Sequence, residues 1–488
     1  DKSTIFIDEN ASRGESGKID YSGAQSIVMV HNFGELSADA DAVGNEWNSG
    51  EGLPITLVDD DLNLNTRSNE DLDVNGATVT LVPTLVIGSP VSLTAVSSDG
   101  GTAGSLTTES VSAGSQSNAN GISFTVDSFS KIARVVDALA TSATIGVHTD
   151  MLCSDLSTLV DAGGSEFLSV DLRTLVGSSA AISSFEITEA NSTTVYGTAT
   201  VGTSGSGNGQ QTNAFTPTAA SLGVNCATTD KVGITIVLDG AGASSNSGGF
   251  TIDFMSFGTS GTTDSNVNNS IYRMEMEETG DNTGVYEGSI EYVMSNQLNM
   301  SDSTNITSTV GGLSFVDNDI IILVTAGSTD EDAPRLNYLD LGADGVSTQI
   351  AVQQDAPSHS GVADLDMDTY KIADTVVVTI TDMDLNVDSG LIDIYTVQND
   401  DADGVAGDTV LFNITFDDSE WTDLDQQTMT LVETGEMTGV FTGTFQVPSV
   451  VDASGTTTTT GTDMEVNYMD YRDAGNITLE VGDGAGIR

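Results

Sequence analysis

The stretch Val376-Val377-Val378-Thr379-Ile380-Thr381-Asp382-Met383-Asp384-Leu385-Asn386 decides the fold. Its β-branched run favours extended backbone, and the Asp-x-Asp-Leu-Asn behind it ends the strand with side chains that hydrogen-bond their own backbone in turns. The same pattern stands earlier in the chain. Thr56-Leu57-Val58-Asp59-Asp60-Asp61-Leu62-Asn63 matches Thr379 to Asn386 at an offset of 323. A second pair sets Glu278-Thr279-Gly280, Thr283-Gly284-Val285-Tyr286 and Gly288 against Glu433-Thr434-Gly435, Thr438-Gly439-Val440-Phe441 and Gly443, at an offset of 155. Each member reads as a strand, a Gly-bearing turn and a second strand; Phe441, Thr444 and Phe445 do not alternate strictly, which leaves the register open. Both pairs keep their order, and the offsets differ by 168 residues (323 less 155), so one module is written twice with a domain inserted into the first copy.

The spacing of strands and turns predicts an all-β chain of tandem antiparallel β-sandwich modules rather than βαβ units. Residues 1–83 with 241–350 form the discontinuous first module, whose N-terminal part is a candidate small module of its own. Residues 84–240 form the insertion, and 351–488 the second module. The insertion is expected to be mainly β with one or two short helices. Ile132, Val135, Val136 and Leu139 give one helical stripe; Leu152, Leu156, Leu159 and Val160 give another, stopped by Gly163-Gly164. The Gly202–Gly209 stretch is low-complexity sequence of the kind found in exposed loops.

Composition removes whole classes of function. Lys plus Arg number 13 against 72 Asp plus Glu, a formal charge of −59. Such a chain has no clustered cations for a phosphate backbone or an anionic membrane surface. Charged residues are only 17% of the total, so the acidity comes from missing cations. In marine or hypersaline water screening lengths shrink toward ~3 Å, and such chains can pack side by side. This fits an extracellular, salt-bathed protein. The longest apolar run, Ile320 to Val324, has the length of a buried strand and not of a membrane span. Asp1-Lys2-Ser3 reads as a processed end or an excerpt of a longer chain. Cys153 and Cys226 are expected to be joined in an oxidising compartment, two buried thiols being the alternative.

Catalysis finds little support. His31, His148 and His359 are far apart and in no metal-ligand spacing, and no nucleophile elbow, P-loop or Cys-x-x-Cys occurs. With 72 acidic residues, a carboxylate pair within reach is expected by chance and does not argue glycoside hydrolysis. No enzyme is expected. The acidic loops are the candidates for binding. Asp382, Asp384, Asn386 and Asp388 place four oxygen ligands at alternate positions after a strand; a hard cation such as Ca²⁺ wants six to eight oxygens, so converging loops would supply the rest. Val387 stands where an EF-hand needs Gly, which rejects that motif. Asp59, Asp61 and Asn63 are the counterpart in the first copy, and Asp401, Asp403 and Asp408 form a second oxygen-rich loop around Gly404 and Gly407. Two readings stand for these loops: metal binding, or turn-capping aspartates facing solvent. Seven Asn-x-Ser/Thr sequons occur; Asn268, Asn299 and Asn305 lie in loop-like sequence, Asn413 in a strand, and Asn10, Asn191 and Asn476 complete the set.

The repeat resembles the surface-layer proteins of ammonia-oxidising archaea of the marine Nitrosopumilus type. The residues carrying the resemblance are Asp382-Met383-Asp384-Leu385-Asn386 with Asp388, Glu433 to Phe441, and Tyr468-Met469-Asp470 with Asp473-Ala474-Gly475-Asn476. The first copy keeps the first two patterns and has Asp319 to Thr325 at the third position, without the Tyr-x-Asp. The resemblance covers both copies and not the insertion. It implies secreted chains of Ig-like β-sandwich modules, assembled with divalent cations into an N-glycosylated, porous, hexameric two-dimensional lattice that enriches small cations such as ammonium. The rivals are a calcium-dependent adhesin or filament subunit, and a secreted polysaccharide-binding protein. The latter needs an aromatic platform, and the only tryptophans, Trp47 and Trp421, stand in separate modules.

Overall fold

The computed structural model describes residues 15–488 apart from 30–32, 45, 65–66, 77–78, 80, 93–104, 109–121, 125–131, 136–143, 162–163, 175–180, 190–194, 202–210, 216–226, 228, 240–247, 260–265, 296–302, 342–346, 400–408, 425–428, 452–454 and 456. The chain is all-β and sandwich-type, with two short helices among the described residues, Cys153–Asp161 and Ser303–Gly312. None of the helices is long and apolar enough to cross a membrane.

In the first module, Glu35–Ala38, Leu53–Val58 and Val285–Met294 lie antiparallel in one layer. The facing layer holds Ser347–Gln353, Arg335–Leu341, Thr84–Ile87 and Asn266–Met274. Leu53, Ile55 and Leu57 alternate inward along their strand and share one core with Leu85, Ile271, Leu336 and Tyr338 of the other layer. The second module repeats the inward alternation with Val376, Val378 and Ile380, packed with Phe412, Trp421, Phe441 and Phe445. The register of Val440–Gln446 is now plain: Phe441, Gly443 and Phe445 point inward. Glycine is needed at the middle position because a Cβ there would lie 2.7 Å from the Thr430 carbonyl oxygen.

Three sequence expectations are corrected. The sheets are mixed rather than purely antiparallel: Val285–Met294 pairs in parallel with Asp319–Val324, and Ile394–Asn399 with Thr409–Phe416. A parallel pair needs a crossover. In the first module the helix Ser303–Gly312 lies in that crossover, with Ile306 and Val310 in the core. The Ile132–Leu139 stripe is no helix at its start, where Ala133–Val135 is a strand between Ile122–Phe124 and Gly248–Phe250. Pairing on both sides supplies the hydrogen bonds that an isolated two-turn helix would have to form at a nucleation cost; residues 136–143 lie outside the described residues. The stripe at Leu156 and Leu159 is helical, in Cys153–Asp161. Finally, Asn268 and Asn305 are not in loops. Asn268 lies in the strand Asn266–Met274 and Asn305 in the helix Ser303–Gly312, because these Ser- and Asn-rich segments carry their apolar residues at strand and helix spacing (Val267, Ile271; Ile306, Val310).

The insertion and the first module share a sheet. Gly248–Thr259 pairs with Asn266–Met274 on one side and Ser165–Asp171 on the other, so one hydrogen-bonded path runs from Ser347–Gln353 to Ser105–Thr108. Thr84–Ile87, at the start of the inserted segment, pairs with Asn266–Met274 and Arg335–Leu341 of the first module. Cys153 is disulfide-bonded; Cys226, the other cysteine of the chain, lies outside the described residues.

Buried ion pairs fasten this junction. Arg273 donates to both carboxylate oxygens of Asp253, at 3.1 and 2.9 Å, and to the Ser92 hydroxyl, with both charged side chains almost fully buried. Arg173 joins Asp171 to Glu275, whose carboxyl burial lifts to about 7 against the pull of that guanidinium. Removing one partner leaves a buried charge uncompensated, which costs about 3–5 kcal/mol. Arg273→Met should destabilise the first module by that amount, and adding Asp253→Leu should recover most of it in denaturant unfolding. A single variant as stable as the parent would show that the pair contributes nothing.

Candidate cation centres

Each module closes around a buried aspartate at the end of a core strand. In the second copy, Asp382 follows Thr375–Thr381 and caps the 3₁₀ turn Met383–Leu385: Oδ1 accepts from the Asp384 amide at 2.9 Å, and Oδ2 accepts from the Tyr468 hydroxyl at 2.8 Å. Asp384 accepts from the His359 amide and faces its Nδ1, each at 2.9 Å. Asp470 accepts from the amides of Gly361 (2.7 Å) and Arg472 (2.9 Å). Burial, then the charges of Asp384 and Asp470, push the Asp382 carboxyl up to about 8. Burial also raises Asp384 and Asp470, with the His359 hydrogen bond opposing on Asp384. The same bond raises His359, and burial lowers the Arg472 guanidinium.

The first copy repeats this geometry. Asp59 caps the turn Asp60–Leu62, accepting from the Asp61 amide at 3.0 Å and the Tyr338 hydroxyl at 2.9 Å, while Asp340 accepts from the Gly34 amide at 3.1 Å. Both capping aspartates donate their amides to a left-handed glycine's carbonyl, Asp59 to Gly284 (2.9 Å) and Asp382 to Gly439 (2.7 Å), with φ of 61° and 58° at the glycines. Asp59, Asp61 and Asp340 each bring one carboxylate oxygen within 4.8 Å of the others. Burial pushes Asp59 up to about 6, although the Tyr338 hydrogen bond pulls it down.

The copies differ in one respect that bears on chemistry. Where the second centre has His359 and Arg472, the aligned sequence of the first has Asn32 and Gly342, which carry no charge. Three convergent carboxylates are part of the donor set a hard divalent cation takes; positions 32 and 342 lie outside the described residues. At the end of the same turn, the Asn63 amide oxygen is buried with no hydrogen-bond partner, while its counterpart Asn386 turns away from the second centre to Ser49. The residues fit such an ion, with remaining ligands from backbone carbonyls or water.

The residues singled out in sequence are only partly brought together. Asp382 and Asp384 share the second centre. Asn386 instead fastens the two modules, its Nδ2 donating to the Ser49 carbonyl at 2.8 Å and its own carbonyl accepting from the Ser49 hydroxyl at 2.7 Å. Asp388 is exposed and accepts from the Gly390 amide in a turn. The four alternate positions therefore do not converge on one point, because the 3₁₀ turn breaks the two-residue alternation of a strand. Asp401, Asp403 and Asp408 lie outside the described residues.

The sequence reading missed Asp340, Asp470, Tyr338, Tyr468, Gly34 and His359 as members of the centres. It also placed the first copy's third motif wrongly. Asp319 to Thr325 is the parallel partner of Val285–Met294, and the counterpart of Tyr468-Met469-Asp470 is Tyr338-Leu339-Asp340. The signal was present as a repeat at an offset of 130, with Gly34 repeating Gly361 at 327. The Glu-Thr-Gly residues build hairpins in both copies: Glu278 Oε1 accepts from Thr283 and Gly284, and Glu433 Oε1 from Thr438 and Gly439.

Among the sequons, Asn268 is half-buried and donates to the Leu323 carbonyl. Asn413 is half-buried in Thr409–Phe416, opposite Asn467. Asn476 is exposed yet engaged, accepting from the Gly327 amide and the Ser358 hydroxyl. Asn10, Asn191 and Asn299 lie outside the described residues. Comparison with protein-family models and with curated proteins finds no match.

The raised carboxyls set a pH dependence. An unfolded aspartate titrates near ~3.9, so between that value and about 6 for Asp59, or about 8 for Asp382, the native state binds more protons than the unfolded state. Stability must fall as pH rises through this window. In cation-free buffer the midpoint of thermal unfolding should drop from pH 5 to 8. Millimolar Ca²⁺ should flatten the drop for the first module, because it replaces the proton that Asp59 loses, and Asp59→Asn should abolish the calcium response. Parallel pH curves with and without Ca²⁺ would mean that the centre takes no cation.

Proposed function

We propose that this is a secreted structural protein of the surface-layer type, which self-assembles on the cell surface into a porous, negatively charged two-dimensional lattice held by divalent cations. The observation carrying this reading is the twice-built acidic centre, which in the first copy brings the carboxylates of Asp59, Asp61 and Asp340 together. Such a module is stiff by itself and stiffer with an ion in the first centre. Tyr292 adds to this rigidity: its hydroxyl donates to the Trp47 and Pro357 carbonyls, linking the first module to the start of the second. Rigid β modules in series suit a load-bearing coat. Both tryptophans are core residues, 1% and 2% exposed, so neither forms the platform that a polysaccharide binder needs.

A sheet with this excess of carboxylates carries a negative potential, focused where pores have low-dielectric walls. Small cations such as ammonium are drawn in and anions kept out, over the few ångströms that marine salt leaves unscreened.

Electron microscopy of the purified protein with and without Ca²⁺ tests the reading. Ordered sheets are expected with Ca²⁺, and chelation should release folded subunits. Asp61→Ala should raise the Ca²⁺ needed for assembly, with Asp384→Ala showing a smaller effect because His359 already faces it. Calcium-binding monomers that never form sheets would favour the adhesin instead.

A further inference from the structure

The N-terminal hairpin is built unlike the rest of the chain. Ser16–Tyr21 and Ala24–Met29 pair antiparallel as a two-stranded sheet of their own, closed by Asp20, which accepts from the Gly23 amide and the Gln25 side chain. Every residue of Ser16–Tyr21 is exposed, Tyr21 at 82%, and Ile27 across from it is 72% exposed. Isolated two-stranded hairpins are marginal in water, and this one leaves Ile19, Tyr21 and Ile27 uncovered. Its charge is balanced. Residues 16–29 hold one Lys and one Asp, a net charge of zero in a chain of −59. Directly paired residues share a face, so Lys18 and Ile27 stand side by side: a cation beside an apolar side chain.

The complementary surface lies on the second module. Ile394 and Val432 are cross-strand partners and both exposed, 57% and 38%, with Val387, Leu391 and Ile392 exposed beside them in the preceding loop. Around this patch stand Asp388 and Asp393, which face Glu291 of the first module closely enough to help burial lift that carboxyl to about 7. An apolar patch with two carboxylates beside it is the inverse of an apolar side chain beside a lysine.

We infer that the Lys18–Ile27 face of the hairpin docks on the Val387–Ile394 patch of a second copy of this chain. The two surfaces differ, so the contact is heterologous: it passes from copy to copy and closes a ring if the rotation per subunit allows. The inference rests on the lattice reading and names one of its contacts. A hairpin without net charge adds no repulsion between copies of like charge at this contact.

The test uses the full chain in marine-strength salt with Ca²⁺, followed by sedimentation across protein concentration. Ile27→Asp and Ile394→Asp each change an exposed residue and should each weaken self-association at least tenfold. Mixing the two variants should restore a one-to-one complex, because each retains the surface that the other lacks; this also shows that both are folded. Carbodiimide cross-linking of isotopically mixed wild type should join Lys18 to Asp388 or Asp393 of a different chain. Sheets that form undiminished from both variants, no complex on mixing, or links confined within one chain would overturn the contact while leaving the lattice reading intact. A wild type that stays monomeric under all these conditions overturns both.

Discussion

A tyrosine hydroxyl donating to a buried aspartate holds each module shut, and much of the surrounding structure follows from keeping that aspartate satisfied. A carboxyl withdrawn from water at the end of a core strand is costly unless its oxygens are hydrogen-bonded. Asp59 and Asp382 meet this with the same two donors, the amide two residues on and a tyrosine from a distant strand. Two residues after that tyrosine, Asp340 or Asp470 reaches the amide that opens the edge strand, Gly34 or Gly361. Three segments far apart in sequence are thereby fixed at one point. A Cβ at Gly361 would lie 2.8 Å from the Tyr468 ring and 3.3 Å from the Asp382 carboxylate, so glycine is required for the strand to come this close.

What the sequence disclosed of this arrangement follows from how local each signal is. The Asp-x-Asp-Leu-Asn turn and the Glu-Thr-Gly hairpin are made by contiguous residues bonding to one another, and both were legible as a repeat. The Tyr-x-Asp of the first copy was not. Its match of two residues, Tyr338 and Asp340, becomes informative only when the hydrogen bond across the sheet is seen. At Ile132–Val135 the apolar spacing suited a helix, yet over so short a segment it fits a strand as well, and Gly248–Phe250 decides by pairing with it. The sheet shared by the insertion and the first module was equally hidden, because a strand pairing on both edges looks the same in sequence whichever partners it takes.

The divergence of the two copies is of one kind. The second module carries a histidine against Asp384 and an arginine whose Nε donates to the Thr325 carbonyl of the first, so its acidic centre is neutralised from within and tied to its neighbour. A buried ion that belongs to the chain cannot be exchanged; one drawn from solution can. In the second copy that tie is made by the chain itself, whereas the first copy offers three carboxylates that an ion from solution would join under the function proposed above.

That distinction bears on the whole charge distribution. The chain has 13 cations, and Arg173, Arg273 and Arg472 are engaged inside the protein, against Asp171 and Glu275, against Asp253, and at the junction between modules. These guanidiniums neutralise carboxylates in low dielectric, where an unpaired charge costs most. They leave the surface with still fewer positive groups to face its carboxylates. For charge complementarity between copies, such a surface has to rely on the few cations that remain outside or on ions from the medium. Lys18 on a neutral hairpin is one of the former, and the Asp59, Asp61 and Asp340 centre is suited to the latter. In the lattice proposed above, assembly would answer to the divalent-ion content of the water around it more steeply than to its total salt, because screening acts on all the surface carboxylates alike while coordination would act at a single point.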